Sequence, residues 1–399
     1  MKVGVGVFSG ECLPIEGKSP TEVLQDSISQ MQHIEDVGLD SIWITEHHFL
    51  DSGYVGSVLP YAAAAAQATK RIRIGIGVAL APLYDPIRLA EDSAFVDVLS
   101  GGRHELGIAI GYRDVEYEGF GTTRAARVGR FEELLELLRQ SWGPDPVEFH
   151  GTHFDRSGFS VFPKPVQPGG PPVLVGGHAP KALDRAARMG AGFIMDAGTD
   201  SSVFAADGRN RDVFDRVEGT LALWKECLAR HGRNTEDVQF NLNMGGFLHP
   251  DGADAAWAVQ QESYMFTRRV YGDWYGLAKE VYERWYPAQM TAEEHAQRRT
   301  ELFLGSPDDL VPQFERLRDI VGENLHIMFR TKYPGISDAD TRQSIEMLAE
   351  CRRRLVGVVV GRERSEHPVP DRRVEAHAGT RVETVADVER RRGDPSEQP

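Results

Sequence analysis

Cysteine is scarce in this chain of 399 residues: Cys12, Cys227 and Cys351 are odd in number and far apart. They offer no metal-binding spacing and suit a reducing cytoplasm. Positive charge is short as well. Lys and Arg number 45 against 60 Asp and Glu, a formal net charge of −15. Nucleic acid and anionic membranes are therefore not expected as main partners, because both recruit clustered basic residues. Long apolar runs are missing: nothing approaches the ~20 residues of a membrane span. Residues 1–8 lack the basic and apolar regions of a signal peptide. No G-x-x-x-x-G-K-[ST] and no complete G-x-G-x-x-G between strand and helix occurs, so neither a P-loop nor an ordinary NAD-binding fold is indicated.

What is present is an alternation. β-branched or continuous apolar runs cover residues 3–8, 40–45, 72–81, 104–110, 172–175, 192–196, 238–248 and 325–329. Amphipathic segments separate them. The first opens on Ser19-Pro20-Thr21-Glu22, an N-cap, a proline at the first helical position and a glutamate placed to complete a capping box. Ser306-Pro307-Asp308-Asp309 repeats that grammar late in the chain. Runs apolar on both faces and spaced by helices are parallel strands joined by crossovers. Eight such units predict an α/β fold, a closed (β/α)8 barrel over residues 1–360. Two stretches interrupt it. Residues 147–167 read as a hairpin or irregular excursion. Residues 265–299 carry Tyr271, Trp274, Tyr275, Tyr282, Trp285 and Tyr286, either a lid that excludes water or a surface-packed helical hairpin. Residues 361–399 are charged and poor in large apolar side chains, a tail outside the core.

Such barrels do their chemistry at the C-terminal ends of the strands. Those ends gather Phe8, Glu46-His47-His48, Gly111-Tyr112-Arg113, Gly176-Gly177-His178, Asp196 and Arg330. Phe8, Tyr112 and Met195 could pack a flat ring. A lone histidine is more often a hydrogen-bonded structural residue. Two beside a carboxylate at a strand end point to proton handling near neutral pH. Strand alternation would turn Glu46 and His48 one way and His47 the other. No H-x-H or H-E-x-x-H is present, so no metal site is expected. The glycine turn at Gly176-Gly177 before a helix suits a phosphate. Arg124, Arg127 and Arg130, three apart where a helix is expected to open, either reach such a phosphate or form a solvated face.

Trp43-Ile44-Thr45-Glu46-His47-His48-Phe49, Asp85-Pro86-Ile87-Arg88, Leu99-Ser100-Gly101-Gly102-Arg103, Phe162-Pro163-Lys164-Pro165 and Val175-Gly176-Gly177 occur in order along the chain. Together they resemble the bacterial luciferase-like, flavin-dependent monooxygenases. The resemblance implies a TIM barrel with insertions, reduced FMN supplied by a separate flavin reductase, and O2 chemistry through a C4a-peroxyflavin on a small organic substrate. It implies that His47 is catalytic, with Glu46 and His48 in support. It implies a cis peptide between Gly77 and Val78 beneath the flavin ring, and a phosphate loop at Gly176, Gly177 and His178. It also implies a homodimer through the second and third helices, where Ala62 to Ala66 would permit close approach. A helix packed tightly on its own barrel explains the same alanines. The family's Arg-Gly at the end of strand four is here Ile110-Gly111, and its reactive cysteine is Ala109. Gly111, Tyr112 and Arg113, with Arg127, are the residues left to meet the cofactor on that side. Two other readings stand beside this one: an F420-dependent oxidoreductase that transfers hydride, and a non-catalytic flavin-binding relative.

Overall fold

The computed structural model describes residues 1–13, 16–177, 179–197 and 212–362. The expected tail therefore lies outside the described residues, as does His178. Eleven strands follow along the described chain: β1 (Lys2–Phe8), β2 (Ser41–Ile44), β3 (Arg73–Leu80), β4 (His104–Ala109), β5 (Val147–His150), β6 (Asp155–Phe159), β7 (Val173–Gly176), β8 (Gly192–Asp196), β9 (Phe240–Leu248), β10 (Phe303–Gly305) and β11 (Leu325–Arg330). β1, β2, β3, β4, β7, β8, β9 and β11 pair in parallel in that order, and β11 returns to β1, closing an eight-stranded barrel. These are the eight runs legible in the sequence. β5 and β6 form a separate antiparallel hairpin. β10 pairs with β9 outside the ring; at three residues it is too short to carry a periodic signal.

Ser19 caps the helix Pro20–Asp36 with a complete capping box, Glu22 reaching back to the Ser19 N–H. Ser306 and Asp309 do the same for Pro307–Val321. The arginine triplet differs from expectation: the helix is Arg127–Trp142, and Arg124 precedes it in an ion pair with Asp114. The aromatic interruption expected from Met265 also starts later. One helix, Ala253–Trp274, runs through it. Its buried positions Trp257, Gln260, Tyr264 and Arg268 keep helical spacing, which the polar and aromatic composition hid. Ala62, Ala65 and Ala66 are buried within this chain's own core, while Phe95 and Val98 stand exposed on the next helix, Pro86–Ser100.

The barrel interior is organised around Trp43, fully buried among Val7, Leu174, Ile194 and Met328. Small neighbours make room for its indole. A Cβ at Gly75 would lie 2.2 Å from the ring, and one at Gly6 2.9 Å from the Trp43 Cβ. Beneath it a polar layer closes the other end. The Trp43 indole N–H donates to Ser41 Oγ (2.8 Å), His326 Nε2 meets the same oxygen (2.7 Å), and Gln239 links His326 Nδ1 to Glu105.

Burial pushes His326 down to about 4, against the pull of Glu105. His104, buried between Ile74 O and Ser93 Oγ, is likewise pushed down to about 4 by burial. An unfolded chain binds these protons near pH 6.5 and the folded chain only near 4, so stability is full above 6.5 and falls as pH drops between those values. Each histidine is expected to cost about 3 kcal/mol across that window. Urea unfolding from pH 7 to 4 checks this; a His104→Gln variant should lose less stability than wild type over the same range.

Candidate active site

β2 ends at Ile44, and the next residues leave the sheet at the barrel mouth. Glu46 and His48 turn together and His47 turns away, the divergence expected from strand alternation. Glu46 is buried and saturated: Oε2 accepts from the Leu80 N–H (2.6 Å), and Oε1 from Tyr84 Oη (2.8 Å) and meets His48 Nε2 (2.7 Å). It joins the end of β2 to the end of β3. The His48 ring packs on Phe120, 4.6 Å between centroids. Phe49 has a positive φ of 60°, and its ring occupies the space that a side chain at Gly119 would need, 2.4 Å from a Cβ there.

His47 faces the mouth. Its Nδ1 lies 2.9 Å from Glu116 Oε1, and Tyr112 Oη lies 3.4 Å from Nε2. A carboxylate only accepts, so Nδ1 carries a proton, and in the neutral ring that leaves Nε2 as the acceptor. The same Glu116 oxygen accepts from the His48 N–H (3.0 Å) and from Arg113 Nη1 (2.9 Å). Burial raises the Glu116 carboxyl, but His47, the His48 N–H and Arg113 outweigh it and hold it below the usual carboxylate range. Burial keeps the Tyr112 hydroxyl well above its ordinary range. Tyr112 is thus a donor, not an anion, at neutral pH.

Glu116 is the residue that sequence reasoning missed. It sits on the short helix Asp114–Gly119 between Asp114 and Glu118, and nothing in the sequence separates one buried acid from two exposed ones. The aromatic stretch contributes more than its pattern implied. From the end of Ala253–Trp274, the Trp274 ring comes within 4.6 Å of His47 and Tyr271 within 6.2 Å, while Tyr275 stacks on Tyr112 at 4.9 Å. Tyr54 closes the other side of His47 at 5.0 Å. Phe8 and Met195 lie in the main core.

The candidate cofactor residues fall into two groups. Arg113 is bonded to Glu116 and the His48 carbonyl and lies under Trp274, so its charge serves the His47 side. Arg130 donates to the carbonyls of Pro82 and Tyr84. Arg127 lies near Tyr117, whose hydroxyl bonds the Ile110 carbonyl beside Gly111. Gly111 has φ +73°, and a Cβ there would crowd Tyr117 Oη at 3.2 Å. The Gly77–Val78 peptide is cis, as the resemblance implies, and so is Gly6–Val7. A Cβ at Gly176 would lie 3.1 Å from Val78 Cγ1, and one at Gly177 2.7 Å from Ala182 Cβ. Only glycine keeps that strand-to-helix turn open, and the helix it enters, Pro180–Arg188, has no side-chain cap on its N-terminal N–H groups. A bare cradle beside Val78, a helix N-terminus and an arginine near Gly111 fit a phosphorylated flat-ring cofactor. Among the described residues no cluster of His, Cys, Asp and Glu could hold a metal, and no helix is long and apolar enough to cross a membrane.

A profile of the family described as luciferase-like monooxygenase matches residues 3–324. The chain is 32% identical over 235 residues to an F420-dependent glucose-6-phosphate dehydrogenase of Amycolatopsis mediterranei, covering 54% of this chain and 69% of that one. It is 30% identical over 170 residues to the oxygenase component of a flavin-dependent trigonelline monooxygenase of Acinetobacter baylyi, covering 42% and 47%. Among solved structures, a monooxygenase from Streptomyces bottropensis superposes with a TM-score of 0.72 at 21% identity, covering 89% of this chain and all of that one. The last comparison bears on the fold alone.

Proposed function

The chain belongs to the luciferase-like monooxygenase family, a family of oxidoreductases, and on that premise we propose a two-component, FMN-dependent monooxygenase. It would take reduced FMN from a separate reductase and use O2 to oxygenate a small organic substrate. The observation that carries this reading is the Glu116–His47–Tyr112 chain, which fixes the His47 ring with Nδ1 on the carboxylate and Nε2 toward the Tyr112 hydroxyl beneath a cover of aromatic rings. The relative that is an oxygenase component supports a separate reductase.

In this reading Gly77, Val78 and Tyr112 would hold the flavin ring. Gly111, Arg127, Gly176 and Gly177 would hold the phosphate, and the resemblance adds His178, outside the described residues. Bound reduced FMN would supply the electrons that activate O2. The protein's part is positional. Glu116 fixes the His47 tautomer, so that Nε2 takes a proton from, or returns one to, a reacting oxygen. Tyr112 Oη donates to that nitrogen until the substrate replaces it. Tyr54, Tyr271 and Trp274 keep water away from the reacting atoms. Glu46 and His48 hold the loop that carries His47. A homodimer belongs to the same reading, with Phe95 and Val98 offering apolar surface.

Hydride transfer with F420 is the second reading. It is favoured by Ile110 where an arginine would meet FMN phosphate, and by the F420-dependent relative. Anaerobic titration with reduced FMN and with reduced F420 decides between them. We expect saturable binding of reduced FMN and an O2-dependent product. Tight F420 binding without FMN binding would replace the first reading by the second.

A further inference from the structure

Arg330 ends β11 at the barrel mouth and is only 7% exposed. Its Nε and Nη2 are buried without a hydrogen-bond partner among the described residues. Those two nitrogens share one edge of the guanidinium, where their N–H bonds run side by side. That edge is the fork that matches the two oxygens of a carboxylate. The guanidinium carbon sits 4.5 Å over the Tyr333 ring. Burial opposes the charge, but an arginine stays protonated at any ordinary pH. A structural role as a stacked cation would account for the ring contact. It leaves the fork unexplained, because N–H donors are directional and a π face does not satisfy them. Glu11 is the acid whose charge Arg330 feels. Burial raises its carboxyl toward the neutral form, and Ser52 donates to its Oε1 (3.3 Å).

The position of this fork matters as much as its chemistry. Tyr54 and Tyr271, which lie within electrostatic range of Arg330, are the rings that pack against His47 at 5.0 and 6.2 Å. An anion on Arg330 would therefore place its own scaffold among the tyrosines beside His47 Nε2.

We propose that Arg330 is the substrate anchor: the substrate is a small organic carboxylate, gripped side-on by Nε and Nη2, with its apolar body against Tyr54, Tyr271 and Trp274. This rests on the mouth being the substrate site, and it holds whichever cofactor the protein uses. The test titrates the full-length, cofactor-free protein with benzoate and its neutral isostere benzamide, and with phenylacetate and phenylacetamide, following tryptophan fluorescence and heat. Each acid should bind at least about tenfold more tightly than its amide. Arg330→Gln should abolish that preference, and Arg330→Lys should restore part of it, with thermal unfolding and reduced-FMN affinity near wild type.

Acids binding no better than amides, or not at all, overturn the proposal, as does a preference that survives in Arg330→Gln. If Arg330→Gln weakens reduced FMN as much as benzoate, and the two compete, the arginine belongs to the cofactor and the proposal falls. If the acid preference depends on Arg330 but neither FMN nor F420 binds, the anchor stands and the oxidoreductase reading fails.

Discussion

His47→Ala is expected to lower turnover by about 10²–10⁴-fold, the usual worth of a positioned proton carrier, while reduced-flavin affinity stays near wild type. The physical case is the fixed tautomer. Glu116 Oε1 holds the Nδ1 proton at 2.9 Å, so the imidazole offers Nε2 to the mouth and nothing else. Alanine removes that acceptor and leaves the surrounding structure its other bonds, since Glu116 keeps Arg113 and the His48 N–H. Among the described residues, none of the candidate phosphate-binding residues bonds to His47, so cofactor binding and turnover should separate. Single-turnover kinetics with pre-bound reduced flavin, alongside an anaerobic flavin titration, measure the two independently. Unchanged turnover would remove His47 from the chemistry.

Glu116→Ala should be the more damaging change to the fold. One carboxylate oxygen collects three donors, from His47, His48 and Arg113, and both Glu116 and the Arg113 side chain are buried. Removing one partner of a buried ion pair costs about 3–5 kcal/mol, because the charge left behind has no water. Glu116→Gln keeps the shape and an accepting oxygen. It should lose less stability yet still lose activity, since a neutral amide no longer favours a single His47 tautomer. Urea unfolding separates the two variants, and a shifted pH–rate profile in Glu116→Gln distinguishes a tautomer effect from simple unfolding. The carboxyl is held below its usual range, so its contribution to stability is complete at neutral pH and is lost only as pH falls through the lowered value. If Glu116→Ala were as stable and as active as wild type, the central place given to this oxygen would be wrong.

Most of the barrel was legible because its signals are local. Buried parallel strands are written as continuous apolar runs, and the Ser19/Glu22 and Ser306/Asp309 boxes lie within four residues each. The candidate site was legible where it coincides with strand ends, as at His47, Tyr112 and Gly176. It was hidden where contact depends on distant segments. Glu116 looks like its exposed neighbours. Trp274 and Tyr271 meet His47 from more than two hundred residues away. Arg113 and Arg127 looked equivalent as charges near a phosphate, yet Arg113 is bonded to Glu116.

By itself the sequence determined the eight-fold alternation, the family, and the end of β2 as the place where titratable groups meet the barrel mouth, since periodicity, caps and short motifs are properties of neighbouring residues. Only the tertiary structure decided that Glu116 sets the His47 tautomer, and that Arg330 is buried with Nε and Nη2 unpaired among the described residues. Burial and hydrogen bonding belong to positions in space, and closing the ring brings together groups whose separation along the chain carries no sign of it.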